Sequence, residues 1–359
     1  MKLNHFNLES FIDEKQMHCL NLKSDYIDLK FAGDFEFDEL GVRVYNLLSH
    51  YAPSYIKPIE VKDDTKSNTA KFDLRLKNLS EVLKLFMPDL VIDDDVFAEG
   101  SINGKEEKFD MVFSFPVIKY DSIYLWGSEL NVVGNSKLLN IGLTSQEISS
   151  KSFPWLENIV LNLGVQQDSV LLELNWNNFD DINNSGNINI LTKFIPVKDR
   201  AMPKIESSIF ESNLVIANRK WEIRPSSVIV DDKNITINKF GLVHENQMLN
   251  IDGEISENPT KLLRFLISDV DITNFNPYLA FTGYQVQGAL SGNGRVANIY
   301  DNPSLKASVS INDFKINNED FGRFDISAIW EGRKNGFKID GVNKFMKIRG
   351  VYMAETDSL

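Results

Sequence analysis

One cysteine, Cys19, is all the thiol this 359-residue chain carries, so no internal disulfide can form. Histidine is nearly as scarce: His5, His18, His50 and His244 are the four, and none stands at metal-ligand spacing from another histidine or from the cysteine. The longest apolar runs, such as Leu83 to Ile92, are interrupted by Lys84, Pro88 and Asp89, which excludes a bilayer-spanning helix. Met1-Lys2-Leu3-Asn4-His5 lacks the charged and apolar regions of a signal peptide, which by itself points to the cytoplasm. Positive charge is also in deficit. With 38 Lys and Arg against 51 Asp and Glu the net charge is −13, and no basic stripe runs along the sequence, so a nucleic-acid partner is excluded.

Catalytic patterns are missing as well. There is no nucleophile elbow. Gly288-Ala289-Leu290-Ser291-Gly292-Asn293-Gly294 imitates a phosphate-binding loop, but no helix starts directly after it, and the segment reads as part of a β-hairpin. Asp93-Asp94-Asp95 lacks the alternating oxygen ligands and distal glutamate of a calcium loop and reads as a solvated turn. Asp180-Asp181 and Asp231-Asp232 read as turns too, because adjacent carboxylates on an extended backbone point apart. His244 reads as a solvated loop histidine. The expectation is a protein with no enzymatic activity, no cofactor and no metal site.

What is abundant is alternation with a period of two. Ile159, Leu161 and Leu163 share one strand face, and Val170, Leu172, Leu174 and Trp176 another, each opposite a polar set. The same holds for Ile235 with Ile237, Leu249 with Ile251, Leu305 through Val309 and Ile311, and Phe324 through Ile326 and Trp330. One apolar and one polar face per strand indicates an antiparallel sheet covered on one side only. The expected fold is therefore mostly β, a long curled antiparallel sheet with a few short helices. Helices are expected at 40–51, within Leu79 to Leu90, after the Asn258-Pro259 cap with Leu262, Leu263 and Leu266, and within Ile272 to Leu279. Glycines after apolar-polar-apolar runs, at Gly33, Gly142, Gly253, Gly341 and Gly350, read as bulges or bends.

A longer period overlies this one. Ile118-Lys119-Tyr120 leads through a turn to Trp126, Leu214-Val215-Ile216 to Trp221, and Phe314-Lys315-Ile316 to Phe321. Each turn reads as four or five residues, and the copies recur about a hundred residues apart. Phe86-Met87-Pro88-Asp89-Leu90 and Phe275-Asn276-Pro277-Tyr278-Leu279 also correspond, and the middle copy lacks this helix. The chain therefore reads as one continuous groove over 1–359, with approximate units 1–70 (partial), 71–165, 166–255 and 256–359.

The run from Leu249-Asn250-Ile251-Asp252-Gly253 through Ile272-Thr273-Asn274-Phe275-Asn276-Pro277-Tyr278-Leu279 to Gly288-Ala289-Leu290-Ser291-Gly292-Asn293-Gly294 resembles the TamB family. These are translocation and assembly module proteins of the AsmA-like superfamily. Asn302-Pro303-Ser304-Leu305 and the turn from Phe314 to Phe321-Gly322 continue the likeness, and the Asn- and Ile-rich style is that of a Bacteroidetes-type member. The likeness is clearest over 205–350 and weaker over 26–140. It implies a taco-like β-groove with an apolar interior, held in the periplasm and tethered to the inner membrane by an anchor helix that this chain does not contain. It further implies an outer-membrane barrel partner of the TamA or BamA type and a role in outer-membrane biogenesis. The chain is then an internal or truncated segment of a longer parent, whose location overrides the cytoplasmic reading.

The apolar faces named above form the expected groove lining, with phospholipid acyl chains as the cargo, since each buried methylene stabilises by roughly 0.8 kcal/mol. Two alternatives stand beside this. One is an assembly or chaperone factor for outer-membrane barrel proteins and autotransporters, acting by strand-edge pairing. The other is a β-sandwich glycan-binding or adhesin module that uses the 24 Phe, 10 Tyr and 5 Trp as stacking platforms.

Overall fold

Alternating apolar and polar residues over stretches of four to fourteen leave the backbone little choice but extended pairing, and 24 strands result among the described residues. The structure is a computed structural model; it describes residues 3–352 apart from 36, 61–67, 94, 151–152, 280–281, 318 and 333–335. The chain divides into two compact units, Met1–Asp180 with Asn184–Asn187, and Asp181–Asn183 with Ile188–Leu359.

The first unit holds β1 (Phe6–Ile12), β2 (His18–Ser24), β3 (Ile27–Asp34), α1 (Phe37–Tyr51), β4 (Thr69–Leu76), α2 (Leu79–Leu83), β5 (Leu90–Asp93) and β6 (Val96–Asn103). It continues with β7 (Lys108–Tyr120), β8 (Ile123–Gly134), β9 (Leu139–Ser150), β10 (Phe153–Gln166) and β11 (Ser169–Asn177). The strands pair in chain order as an antiparallel meander, except that β4 pairs with β6 and the short β5 adds to the far end of β7.

The second set of strands starts with β12 (Ser185–Ile195), β13 (Lys204–Ile209), β14 (Ser212–Ile216), β15 (Arg219–Ile223), β16 (Ser226–Asp231), β17 (Asn234–His244), β18 (Gln247–Ile255) and β19 (Leu263–Asp271). After a 3-10 turn at Ile272–Phe275 and α3 (Asn276–Leu279) come β20 (Val286–Ala297), β21 (Ser304–Ile316), β22 (Glu319–Glu331), β23 (Phe337–Val342) and β24 (Lys347–Tyr352). Here too the pairings described are antiparallel. The expected class, a mostly β antiparallel sheet with few helices, is the fold observed.

Helix α1 forms where Leu40, Val44, Leu47, Leu48 and Tyr51 recur at helical spacing. Among the described residues, two clusters of mutually packed, buried apolar side chains lie against it: Phe35, Leu40 and Ala70 at its start, and Leu47, Tyr51 and Phe109 towards its end. Tyr51 is only 3% exposed, and its hydroxyl donates to the Asn135 carbonyl at 2.7 Å. Burial pushes its pKa up to about 12, so it stays a neutral donor. The Tyr51 carbonyl in turn accepts from the Asp168 N–H in the β10–β11 turn at 2.8 Å. One helix thus bridges the β3–β4 edge and the rim of β8 to β11 in the first unit.

The expected helix after Asn258-Pro259 is not formed. Asn258 Oδ1 accepts from the N–H and the hydroxyl of Thr260 at 3.0 and 2.8 Å, which closes a turn, and Leu263 already belongs to β19. Asn-Pro serves a turn as well as a helix start, and Leu263, Phe265 and Ile267 alternate in strand fashion. Gly288 to Gly294 lie inside β20 and hold no hairpin turn. His244 ends β17, where its Nδ1 lies 2.7 Å from the Lys220 carbonyl and its ring packs on Trp221, so it is half-buried rather than a free loop residue. Asp94 lies outside the described residues.

The three recurrent turns are real, and they share a device. Each closes with two residues between the paired strands, shorter than expected: Tyr120 pairs with Ile123, Ile216 with Arg219 and Ile316 with Glu319. In each, a residue at positive φ (Asp121, Asn218 or Asn317) donates its N–H to a carbonyl of an earlier connection, Asp89, Asn183 or Gln285, at 3.0, 3.0 and 2.7 Å. The middle copy has no helix in its connection and keeps the tie.

Candidate functional site: the apolar sheet faces

Residues directly opposite each other on antiparallel strands project from the same side of the sheet. Register therefore extends each short alternation into a face. In the first unit one row runs Leu20, Phe31, Phe72, Gly100, Met111, Val132, Ile141, Leu163 and Leu172, crossing nine strands without a polar side chain. The row beside it projects the other way and reads Asn21, Lys30, Asp73, Glu99, Val112, Asn131, Gly142, Asn162 and Glu173.

The second unit repeats this. Leu242, Leu249, Ile267, Gly292, Val309, Ile326, Gly341 and Ile348 form one apolar row, and Phe240, Ile251, Phe265, Gly294, Ala307, Ala328, Ile339 and Gly350 form its neighbour.

All the residues expected to line the groove fall on these faces. Ile159, Leu161, Leu163, Val170, Leu172, Leu174 and Trp176 share the apolar face of the first unit, with Leu161 opposite Leu174 and Val165 opposite Val170. Ile235, Ile237, Leu249, Ile251, Leu305, Val309, Ile311, Phe324, Ile326 and Trp330 share that of the second. Ile159, Ile311 and Phe324 are buried, and the others are half-buried. Away from α1 the apolar faces thus keep partial access to solvent.

Two devices missed by simple alternation keep the faces apolar. In β17, β19 and β21 the register slips by one residue, between Ile237 and Phe240, Ile267 and Val270, and Ile311 and Phe314. Each slip is a bulge whose extra residue, Lys239, Asp269 or Asp313, takes φ of 55°, 49° or 52°. The bulge resets the phase so that Phe240, Val270 and Phe314 return to the apolar side. The second device explains one glycine read as a bend or bulge, Gly341, where a Cβ would come within 2.8 Å of the Phe324 ring, and it recurs at three others. A Cβ on Gly100 would come within 2.8 Å of the Phe72 ring, on Gly186 within 2.1 Å of Trp176, and on Gly294 within 2.3 Å of Phe265. These glycines seat an aromatic ring of the adjacent strand flat on the sheet. Gly253, with φ of 122°, does lie at a bulge, as expected.

The electrostatics lie on the rims and polar faces. Asp271 caps the 3-10 turn: its Oδ1 accepts from the N–H and hydroxyl of Thr273 at 3.0 and 2.6 Å, and its Oδ2 pairs with Arg219 Nη1 at 2.8 Å. Burial works to raise its pKa, but the Thr273 hydrogen bonds and Arg219 outweigh that and hold it below the usual carboxylate value. Lys77 holds Asp28 low in the same way, against a smaller desolvation effect. Among the described residues no group of three or more His, Cys, Asp or Glu is placed to hold a metal ion, and no helix is long and apolar enough to cross a membrane.

One expectation about charge is corrected. Arg264, Arg295, Lys306 and Lys338 are scattered in sequence, yet register puts them in one row on the polar face of the second unit. The signal that would have found this row is pairing register, which sequence spacing alone does not reveal. Comparison with family models, with curated proteins and with solved structures returns no match for this chain.

Proposed function

We propose that this chain is a segment of a TamB-like envelope protein in the periplasm, whose apolar sheet faces carry phospholipid acyl chains between the inner and outer membranes. The observation that carries this reading is the apolar row from Leu20 to Leu172 and its counterpart from Leu242 to Ile348, continuous yet half-buried rather than sealed. Helix α1 covers part of the first row, where Phe31, Met111 and Val132 pack against its clusters; elsewhere an apolar face without a covering layer is a solvation cost that an acyl chain relieves, at roughly 0.8 kcal/mol per methylene buried. The side chains supply contact and exclude water; no bond is made or broken. An outer-membrane barrel protein receives the cargo, and a segment outside this chain anchors the parent to the inner membrane.

The test is substitution of Leu172, Leu249 or Ile326 by glutamate in the full-length protein, with Leu172→Gln as a milder partner. A carboxylate in an acyl path costs several kcal/mol of burial, so lipid passage should fall at least tenfold while folding, checked by circular dichroism, is kept. Unchanged passage in folded variants refutes the reading. Crosslinks from these positions to nascent barrel proteins instead of lipid would favour the assembly-factor alternative.

A further inference from the structure

The polar face of the second unit carries a feature that the apolar groove does not use. Across β18 to β23 the register lines up Asp252, Arg264, Arg295, Lys306, Ile329 and Lys338. Four of the six are cations, in a chain whose net charge is −13. From β19 to β23 the row spans about 19 Å at ordinary strand spacing. Arg264 faces Arg295 and Arg295 faces Lys306 directly across adjacent strands, an arrangement that costs stability because like charges oppose. All four cations are exposed. Among the described residues Arg264, Arg295 and Lys338 make no ion pair; Asp252, the carboxylate at the end of the row, accepts from the Lys239 N–H at 2.9 Å. The next row on this face offers neutral donors at Asn293 and Ser308, then Asp340, which is already occupied by Arg349 at 2.8 Å.

The sheet surface is not flat here. Arg264, Arg295, Lys306, Asn293 and Ser308 line an open depression of ≈ 630 Å³ together with Asp252 at one end, and Leu266 and Ile329, 42% and 39% exposed, add apolar surface to it. Guanidinium groups bind phosphate oxygens through paired N–H donors. Two opposed arginines with a lysine beside them supply that geometry, and Asp252, opposite Arg264 at the end of the row, is the carboxylate that an incoming anion meets there.

We propose that the Arg264–Arg295–Lys306 row is a binding site for phosphate groups, carried by a lipid headgroup or free in solution. The site stands apart from the apolar groove and does not depend on the function proposed for it. An anion in the depression removes the like-charge repulsion, and Leu266 and Ile329 offer apolar contact to the remainder of a lipid.

The test uses the whole chain, with Arg264→Gln, Arg295→Gln and, as a charge-matched control on an exposed loop, Lys198→Gln. Thermal melts are recorded in phosphate-free buffer and with millimolar inorganic phosphate, and flotation is measured with vesicles of phosphatidylcholine alone or mixed with phosphatidylglycerol. Phosphate should raise the melting temperature of wild type and the control by a few degrees, because a ligand that binds only the folded state stabilises it. Arg295→Gln should melt no lower than wild type without phosphate and should lose the shift. Retention on phosphatidylglycerol vesicles with no response to inorganic phosphate assigns the site to headgroups; the reverse assigns it to the free anion. Wild type that responds to neither overturns the proposal. So does a response that Arg264→Gln and Arg295→Gln leave intact, or binding of an acidic peptide in place of either phosphate source.

Discussion

Asp121, Asn218 and Asn317 each bend the chain into the left-handed region and use the N–H so exposed to tie a turn to an earlier connection. Asn218 adds two side-chain bonds: its Oδ1 accepts from the Asn183 N–H at 2.7 Å and its Nδ2 donates to the Asp181 carbonyl at 2.9 Å. Asn218→Ala loses both and retains the φ penalty, so it should cost about 2–3 kcal/mol in urea unfolding. Ala217, beside it at φ of 50°, bears a strain that glycine avoids, and Ala217→Gly should gain up to about 1 kcal/mol in the same assay. Asp271 ties the other side of this rim. Its folded-state pKa lies below the ordinary aspartate value of 3.8, so its contribution is fully present above that value and is lost as pH falls through the folded pKa. An acid titration of stability should therefore flatten below pH 3.8 in Asp271→Asn relative to wild type. Equal slopes would show that the Thr273 and Arg219 contacts are not maintained in solution.

At the scale of elements, what could be read in advance depended on whether a signal is local. Helix α1 was legible because five apolar residues repeat every three or four positions, and most strands because six or more residues alternate. The segment after Asn258 was misread because a cap and a turn use the same residues, and the strand pattern that decides the case begins only at Leu263. The bulges at Lys239, Asp269 and Asp313 could not be read: one polar residue out of phase looks like the end of a strand until its partner strand is known. Helix α1 also contributes to two buried apolar clusters of the first unit. Leu47→Ala, which opens a cavity beside Tyr51 and Phe109, should cost about 2–4 kcal/mol by denaturant unfolding. A loss below about 0.5 kcal/mol would mean that the helix rests on the sheet without anchoring it.

For the molecule as a whole, the two faces differ in how they arise. The apolar faces were legible because every strand declares its own apolar side, so that Leu163 and Leu172, or Val309 and Ile326, meet once the strands pair. The cation row was not, because Arg264, Arg295, Lys306 and Lys338 sit singly on four strands and become neighbours only through register. The central claim is that acyl chains run on the apolar side of the sheet. Its most direct measurement places a photo-crosslinking amino acid at Leu163 or Leu172, and separately at the adjacent Asn162 or Glu173, in the full-length protein in cells fed radioactive phosphate. The account predicts labelled phospholipid crosslinked at Leu163 and Leu172 and background at Asn162 and Glu173, whose side chains project from the other face. Equal labelling of both pairs, or label at neither in well-expressed protein, would contradict it.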